Sequence, residues 1–293
     1  MANRRVIVKR RKTVRNIRKI TRTMQLIATA RFQAAHNRAL ATRPYSDGLA
    51  ALVCDLTSVV EDVSHPLMRA PQGVKRAALV ALTSSRGLCG GYNTNVLRTS
   101  IAHLKGLEAQ GLEADVYMVG KKGINYFKFL RRPMVERITT ISDAPRFHQV
   151  EPIARTLMER FAAGEIASAH VAYMRFLSAG RQRPVVMQLL PLATEATPGE
   201  GKTAPAKTVQ YEFSPEPKQL LEELLPATVR VRLFQCFTDA AASEQIARMV
   251  AMKAATESAG DMITALTRKY NRARQTQITM ELLDIVGGAN ALA

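Results

Sequence analysis

The stretch MVAMKAATESAGDMITALTRKYNRARQTQ, residues 249–277, decides how this chain folds. Within it Met249, Met252, Thr256, Ala259, Ile263, Leu266, Tyr270, Ala273 and Gln277 recur in steps of three and four. The mean step is about 3.5 residues, the period of a helix that winds around a partner helix. Near the other end, Ile17, Ile20, Met24, Ala28, Phe32, Ala35 and Ala39 form a second stripe. Its period is about 3.67, nearer that of a straight helix. Two amphipathic helices at the two ends of a chain bury such stripes most simply against each other. The expected result is a shaft with a separate domain strung between its ends. Rods of this kind transmit position or force and do no chemistry themselves.

The segments between the stripes have a different texture. Residues 4–60 read as helix, with Pro44-Tyr45-Ser46-Asp47-Gly48 marking a kink or break before Leu49, Leu52, Leu56 and Val59 resume the period. Strands are expected at Ala77–Thr83, Asp115–Val119, Ala169–Phe176 and Pro184–Leu190. Helices are expected from Gly90-Gly91 to Lys105, near Ile124–Leu130 and over Glu151–Ala163. Alternating strand and helix predict a Rossmann-like α/β domain with a largely parallel sheet. Residues 193–207 (ATEATPGEGKTAPAK) read as a flexible loop, and Leu220–Leu225 as a short helix capped by Pro226. Residues 227–236 are ambiguous, because Val229, Val231 and Leu233 alternate as a strand does. From Ile246 the helical period runs to Val286, and Gly287-Gly288 ends it. About 40 residues of helix span about 60 Å, too long for a compact domain, so this helix is expected to project.

The fold class is therefore α/β: an antiparallel coiled coil of N- and C-terminal helices plus a central α/β domain. The expected division is residues 1–65 for the N-terminal coiled-coil helix, 74–214 for the α/β domain with its loop, and 215–293 for the C-terminal helix.

Composition removes several function classes. Hydrophobic residues make up 47% of the 293, yet only 5% are aromatic and none is Trp, so the core is aliphatic and alanine-rich. Cys54, Cys89 and Cys236 are far apart and form no C-x-x-C pair, which argues against a zinc site or disulfide framework and fits a reducing compartment. His36, His65, His103, His148 and His170 show no metal-ligand spacing. No cofactor or metal is expected. No run approaches 18 uncharged apolar residues, so nothing is expected to span a membrane.

The net charge of +18 is uneven, since residues 1–43 hold thirteen Lys or Arg and no acid. Three readings compete for this basic run: nucleic-acid binding, a cleaved presequence, and a basic face that meets an acidic protein. The presequence reading is weakened because the same residues carry half of the seam.

Two motifs have a catalytic look. Ala196–Thr203 fits a relaxed phosphate-loop pattern, but Lys202-Thr203 runs into Ala204-Pro205-Ala206 and no apolar helix follows. It is a chance match. Cys89, within Ser84-Ser85-Arg86-Gly87-Leu88-Cys89-Gly90-Gly91, is a candidate nucleophile before a helix N-terminus. No candidate His base lies nearby in sequence. The glycines favour a structural turn made of Arg86, Gly87, Cys89, Gly90 and Gly91.

Four stretches resemble the γ subunit family of the F-type ATP synthases. They are Thr13-Val14-Arg15-Asn16-Ile17-Arg18-Lys19-Ile20-Thr21 with Met24; Arg86–Gly91 with Asn93; Ser243-Glu244-Gln245 with Ala247–Thr256; and Ala273-Arg274-Gln275 with Ile278–Glu281, Asp284 and Gly288-Ala289. The resemblance implies a non-catalytic central rotor. Its coiled coil turns inside three α and three β subunits, one copy per three αβ pairs. Its α/β domain sits beside the ε subunit and the c ring, on the cytoplasmic side of a bacterial inner membrane. Contacts with the β subunits would fall at Met24, Arg274, Gln275 and Thr279, and contact with the c ring at Tyr211, Glu212 and Phe213. The lever of β is acidic in this family, so the basic helix gains a partner without nucleic acid. Ser85 and Ser214 stand where the family often carries acids. The chain begins Met-Ala directly on the basic helix, which suggests a bacterial, uncleaved protein.

Overall fold

The structure, a computed structural model, describes residues 4–59, 65–71, 73–192 and 216–292. The elements in chain order are α1 (Arg4–Val59), β1 (Arg76–Leu82), α2 (Tyr92–Ala109), β2 (Glu113–Val119) and α3 (Lys121–Phe129). They continue with β3 (Glu136–Ile138), α4 (Phe147–Ala162), β4 (Ser168–Ser178), β5 (Arg181–Leu190) and α5 (Pro217–Leu292). The chain divides into two compact units, one of Met1–Ala30 with Arg248–Ala293, the other of Arg31–Ala247.

The larger unit is built on a five-stranded sheet of order β3-β2-β1-β4-β5. The first four strands are parallel, and β5 runs antiparallel to β4. β1 is central and buried on both faces, which is why it reads as a continuous apolar run and does not alternate. Its side chains divide by parity. Leu79 and Ala81 meet Leu97 and Leu104 of α2 with Ile124 and Phe127 of α3. Ala78, Val80 and Leu82 meet Val150, Ile153 and Leu157 of α4 and a line of α5 residues. All four expected strands and three expected helices of this unit are present, with shifted ends. β3 was not expected: it is three residues long, and Glu136 and Arg137 are exposed, so it carries no apolar signal.

One open reading of the long helices is settled and three expectations are corrected. Residues 227–236 are helix, not strand, and Leu220–Leu225 does not end at Pro226. Leu221, Leu225, Val229, Leu233 and Phe237 are buried at steps of four against the sheet, and this packing outweighs the one backbone hydrogen bond that Pro226 removes. Pro44 likewise lies inside an unbroken α1, where Leu49, Val53 and Leu56 form the inward line and Leu52 is exposed. Gly287-Gly288 does not stop α5, because each glycine costs a helix only about 1 kcal/mol and blocks no hydrogen bond.

In the smaller unit the two terminal segments pair antiparallel. Arg4 reaches Gln277, Arg11 lies over Tyr270, Arg18 approaches Gly260 and Thr21 meets Thr256. Every member of the expected C-terminal stripe from Met249 to Ala273 is buried or half-buried, whereas Gln277 is exposed. The N-terminal stripe is partly corrected. Ile17 and Ile20 are 46% and 59% exposed, and the buried line within this unit is Ile7, Thr21 and Ala28, with Val14 half-buried. These positions are spaced by seven, so this side of the coil keeps a heptad with a hydroxyl inside it.

Candidate functional site

The exposed surface of the coil is the first candidate. Residues 4–30 carry ten Lys or Arg and no acid, and nine of those cations are exposed. Arg4 and Arg11 also serve the coil itself, with their guanidinium carbons 5.9 and 4.9 Å from the centre of the Tyr270 ring. Cations over an aromatic face are attracted by its quadrupole.

The proposed β-contact residues do not form one patch. Arg274, Gln275 and Thr279 are all exposed, and the Thr279 hydroxyl donates to the Gln275 carbonyl at 3.0 Å. Met24 is half-buried three residues past Thr21, level with the start of the paired part of α5. About 20 residues of helix, or about 30 Å, separate it from Arg274. Beyond Gln277 the helix presents Ile278, Met280, Leu282, Leu283, Ile285 and Val286, each at least 43% exposed. Tyr211, Glu212 and Phe213 lie outside the described residues, as do loop 193–207 and its Lys202-Thr203.

The turn after β1 is the second candidate. Asn93 organises it: its Oδ1 accepts from the Ser84 backbone N–H at 2.9 Å, and its Nδ2 donates to Ser84 Oγ at 2.8 Å and to Cys89 Sγ at 3.2 Å. Cys89 is 2% exposed and packs on Tyr92, Val96 and Met174. A thiol so enclosed lacks the access a nucleophile needs. Gly90 takes φ +55°, and so does the non-glycine Leu88 at φ +63°. At Gly87 and Gly91 a Cβ would make only ordinary contacts, the nearest atoms being 3.5 Å away. Arg86 points instead to Asp143, which it meets at 3.5 Å while Arg31 meets the same carboxylate at 2.7 Å.

Steric demand concentrates next door, in the β2–α3 connection. Gly120 has φ +92°, and a Cβ there would stand 2.1 Å from the Thr83 carbonyl oxygen. The Thr83 hydroxyl donates to the Val119 carbonyl at 2.6 Å and accepts the Gly123 N–H at 3.0 Å. β1 is thereby fastened to the start of α3 through one buried side chain.

Other titratable groups look structural. Burial pushes the Cys236 thiol up, and nearby Asp239 adds to the effect. His103 and His170 pack edge to face with ring centres 4.5 Å apart. Burial lowers His103; burial and then the His103 charge lower His170 to about 4, against a hydrogen bond with the Ala78 backbone. Among the described residues no group of three or more His, Cys, Asp or Glu could hold a metal ion. No described helix is long and apolar enough to cross a membrane.

Sequence reasoning missed the Thr21–Thr256 contact, the Tyr270 clasp, Asp143 and Gly120. Thr256 and Tyr270 were on the seam, but polar residues on an apolar stripe carry no partner label. The spacing of Ile7, Val14, Thr21 and Ala28 by seven was a usable signal.

The geometry agrees with what known proteins show. A family model described as ATP synthase matches residues 3–292. The ATP synthase gamma chain of Rhodopirellula baltica is 44% identical over 298 residues, covering 100% of this chain and 99% of the relative. That of Leptospira biflexa is 41% identical over 293 residues, covering 100% of both. Among solved structures, a chain of the Euglena gracilis mitochondrial ATP synthase shares the fold at TM-score 0.64 and 18% identity, covering 99% of this chain and 94% of that one. A second Euglena gracilis structure, of the rotor, gives TM-score 0.60 at 17% identity, over 94% and 98% of the two chains. With an antiparallel coil of terminal helices, a parallel sheet between them and a full-length match at over 40% identity, this chain belongs to the ATP synthase gamma chain family.

Proposed function

We propose that this chain is the central-stalk rotor of an ATP synthase and performs no chemistry of its own. The observation that carries the reading is the smaller unit: a paired coil whose buried seam is narrow and whose outer surface is basic and apolar without acids on its N-terminal helix. Such a surface suits a partner with acidic and apolar elements. Those partners are α and β subunits, one copy of this chain per three αβ pairs, together with an ε subunit and a c ring. Turned by the c ring, the asymmetric coil acts on each β subunit as a ligand with different affinities for its conformations. Each orientation stabilises one nucleotide state over another. Met24, Arg274, Gln275 and Thr279 are the proposed β contacts, and Tyr211, Glu212 and Phe213 the proposed c-ring contacts. Residues 1–65 and 215–293 are assigned to the coiled-coil helices and 74–214 to the α/β domain. The bacterial origin of the relatives supports a peripheral place on the cytoplasmic side of an inner membrane, held there through the complex.

The test is ATP hydrolysis by purified α and β subunits with and without this chain, after gel filtration at moderate salt. Co-elution at one copy per three αβ pairs with a large rise in turnover is the expected result. No association and no rise would overturn the rotor reading and return the basic helix to nucleic acid, which a steep log-log salt slope would then reveal.

A further inference from the structure

The seam is poor in shape. Ala28 and Ala259 are 1% and 6% exposed, so small side chains fill positions where a coiled coil normally places branched knobs. The inward line of Ile7, Val14, Thr21 and Ala28 repeats every seven residues, so a slide of one heptad again brings one of these positions level with each seam position of the partner helix. Apolar packing alone therefore leaves the register of these helices weakly specified.

One polar contact distinguishes the observed register from its neighbours. Thr256 Oγ1 lies 2.8 Å from Thr21 Oγ1, both side chains being buried in the seam. Each hydroxyl also lies within reach of a carbonyl of its own helix, Met252 at 2.7 Å and Arg18 at 3.1 Å. One threonine can thus donate across the seam while the other donates along its helix. Further along, Tyr270 is held between Arg4 and Arg11, and Arg4 Nη1 reaches Gln277 Oε1 at 3.5 Å. The clasp does not discriminate, because Arg4, Arg11 and Arg18 are seven residues apart and a heptad slip returns an arginine to Tyr270; the same slip parts the two threonines by about 10 Å.

We infer that Thr21 and Thr256 are positioning residues that set the register of the two terminal helices. Their hydroxyl pair selects one of several registers that the heptad-spaced seam allows. The consequence for coupling rests on the rotor reading above; the register itself does not. A slip would carry Arg274 and Gln275 along the coil relative to the basic helix while leaving both helices intact.

The test uses disulfide reporters in the full chain, alone and co-expressed with α and β subunits. Interpolating between the Arg11–Tyr270 and Arg18–Gly260 contacts places Val14 opposite Leu266. V14C/L266C reports the native register, whereas V14C/A273C and V14C/A259C report slips of one heptad. A disulfide spans roughly 4–7 Å between Cα atoms, so the reporters do not overlap. In the otherwise unaltered chain only V14C/L266C should cross-link efficiently. T21V/T256V keeps the side-chain shape and removes the hydrogen bond; it should raise the slipped-to-native ratio about 2- to 10-fold. Y270L, which removes a clasp that a slipped register can re-form, is the control and should leave the ratio within about twofold. A merely stabilising role would lower the melting temperature without any slipped product. Native cross-linking alone in T21V/T256V, folded by circular dichroism, would overturn the proposal. If slipped product forms but ATP-driven ion pumping per ATP is unchanged, the register assignment stands and the rotor reading fails.

Discussion

Replacing Gly120 by Ala tests how the α/β domain is held. Gly120 follows β2 with φ +92° and ψ 140°, a region essentially reserved for glycine. The added methyl would stand 2.1 Å from the Thr83 carbonyl oxygen, 2.7 Å from its carbon and 2.9 Å from the Ser84 carbonyl carbon. These are backbone atoms, and the strand end that carries them is tied to Val119 through both the Thr83 N–H and its hydroxyl. Relief therefore requires parting β1 from β2. Gly111 supplies the control: it too has positive φ, +74°, but nothing lies within 4 Å of its Cβ position. Gly111→Ala should cost only the left-handed conformation, about 1–2 kcal/mol. Gly120→Ala should add the lost strand-end hydrogen bonds and the clash, reaching about 4 kcal/mol or more. Urea unfolding followed by tyrosine fluorescence reads this directly, because Tyr92, Tyr117 and Tyr173 are all buried in this unit. At slopes of about 3 kcal/mol/M, the Gly120 variant should lose more than about 1 M in midpoint and the Gly111 variant about half as much. Equal midpoints for the two variants would refute the steric argument.

Other predictions concern charge and contact. The folded-state pKa values of His103 and His170 are lowered, so the unfolded chain takes up protons first as pH falls. Their contribution is complete above about pH 6.5 and is lost as pH falls towards about 4; His170→Asn should flatten that part of the stability profile relative to the parent. Ile263→Asp places a carboxylate in the half-buried seam and should abolish co-elution with α and β subunits. Arg274→Ala, at an exposed position, should preserve assembly and lower ATP-driven ion pumping per ATP; unchanged pumping would remove Arg274 from the proposed contact. Cys89→Ser should leave ATP turnover within about twofold, since the buried sulfur accepts from Asn93, a role a hydroxyl can take. A large loss of turnover in a folded complex would restore the nucleophile reading.

The parallel sheet was legible because buried strands read as short apolar runs between glycine-marked turns, as at Ala77–Leu82. The C-terminal stripe was legible because each seam position from Met249 to Ala273 is apolar, small or aromatic. What failed did so for identifiable reasons. Ile17 and Ile20 are more hydrophobic than Thr21, so a count of apolar residues chose them over the threonine that faces the seam. Val229 and Leu233 are also four apart, and β-branched alternation there concealed a helix whose burial is decided by the sheet beneath it. Asp143 gave no signal, since a lone acid in a loop acquires meaning only when Arg31 and Arg86 converge on it from distant parts of the chain. Gly120 resembled any glycine after a strand. Only the neighbouring Thr83 carbonyl makes it irreplaceable.

The slim seam has a thermodynamic corollary. A buried methyl contributes far less than a buried leucine side chain, at about 0.8 kcal/mol per carbon. Where Ala28, Thr21, Thr256 and Ala259 fill the seam the coil is thus held by few carbons per turn, while the sheet encloses Phe127, Phe161, Leu157 and Met118 almost completely. Backbone amides of residues 4–30 and 248–277 should exchange with solvent deuterium much faster than those of β1 and β4 in the free chain. Enclosure by a bearing of other subunits would slow them. The stiffness of the coil is then conferred by its housing, and in a free chain the coil would be far softer than the sheet.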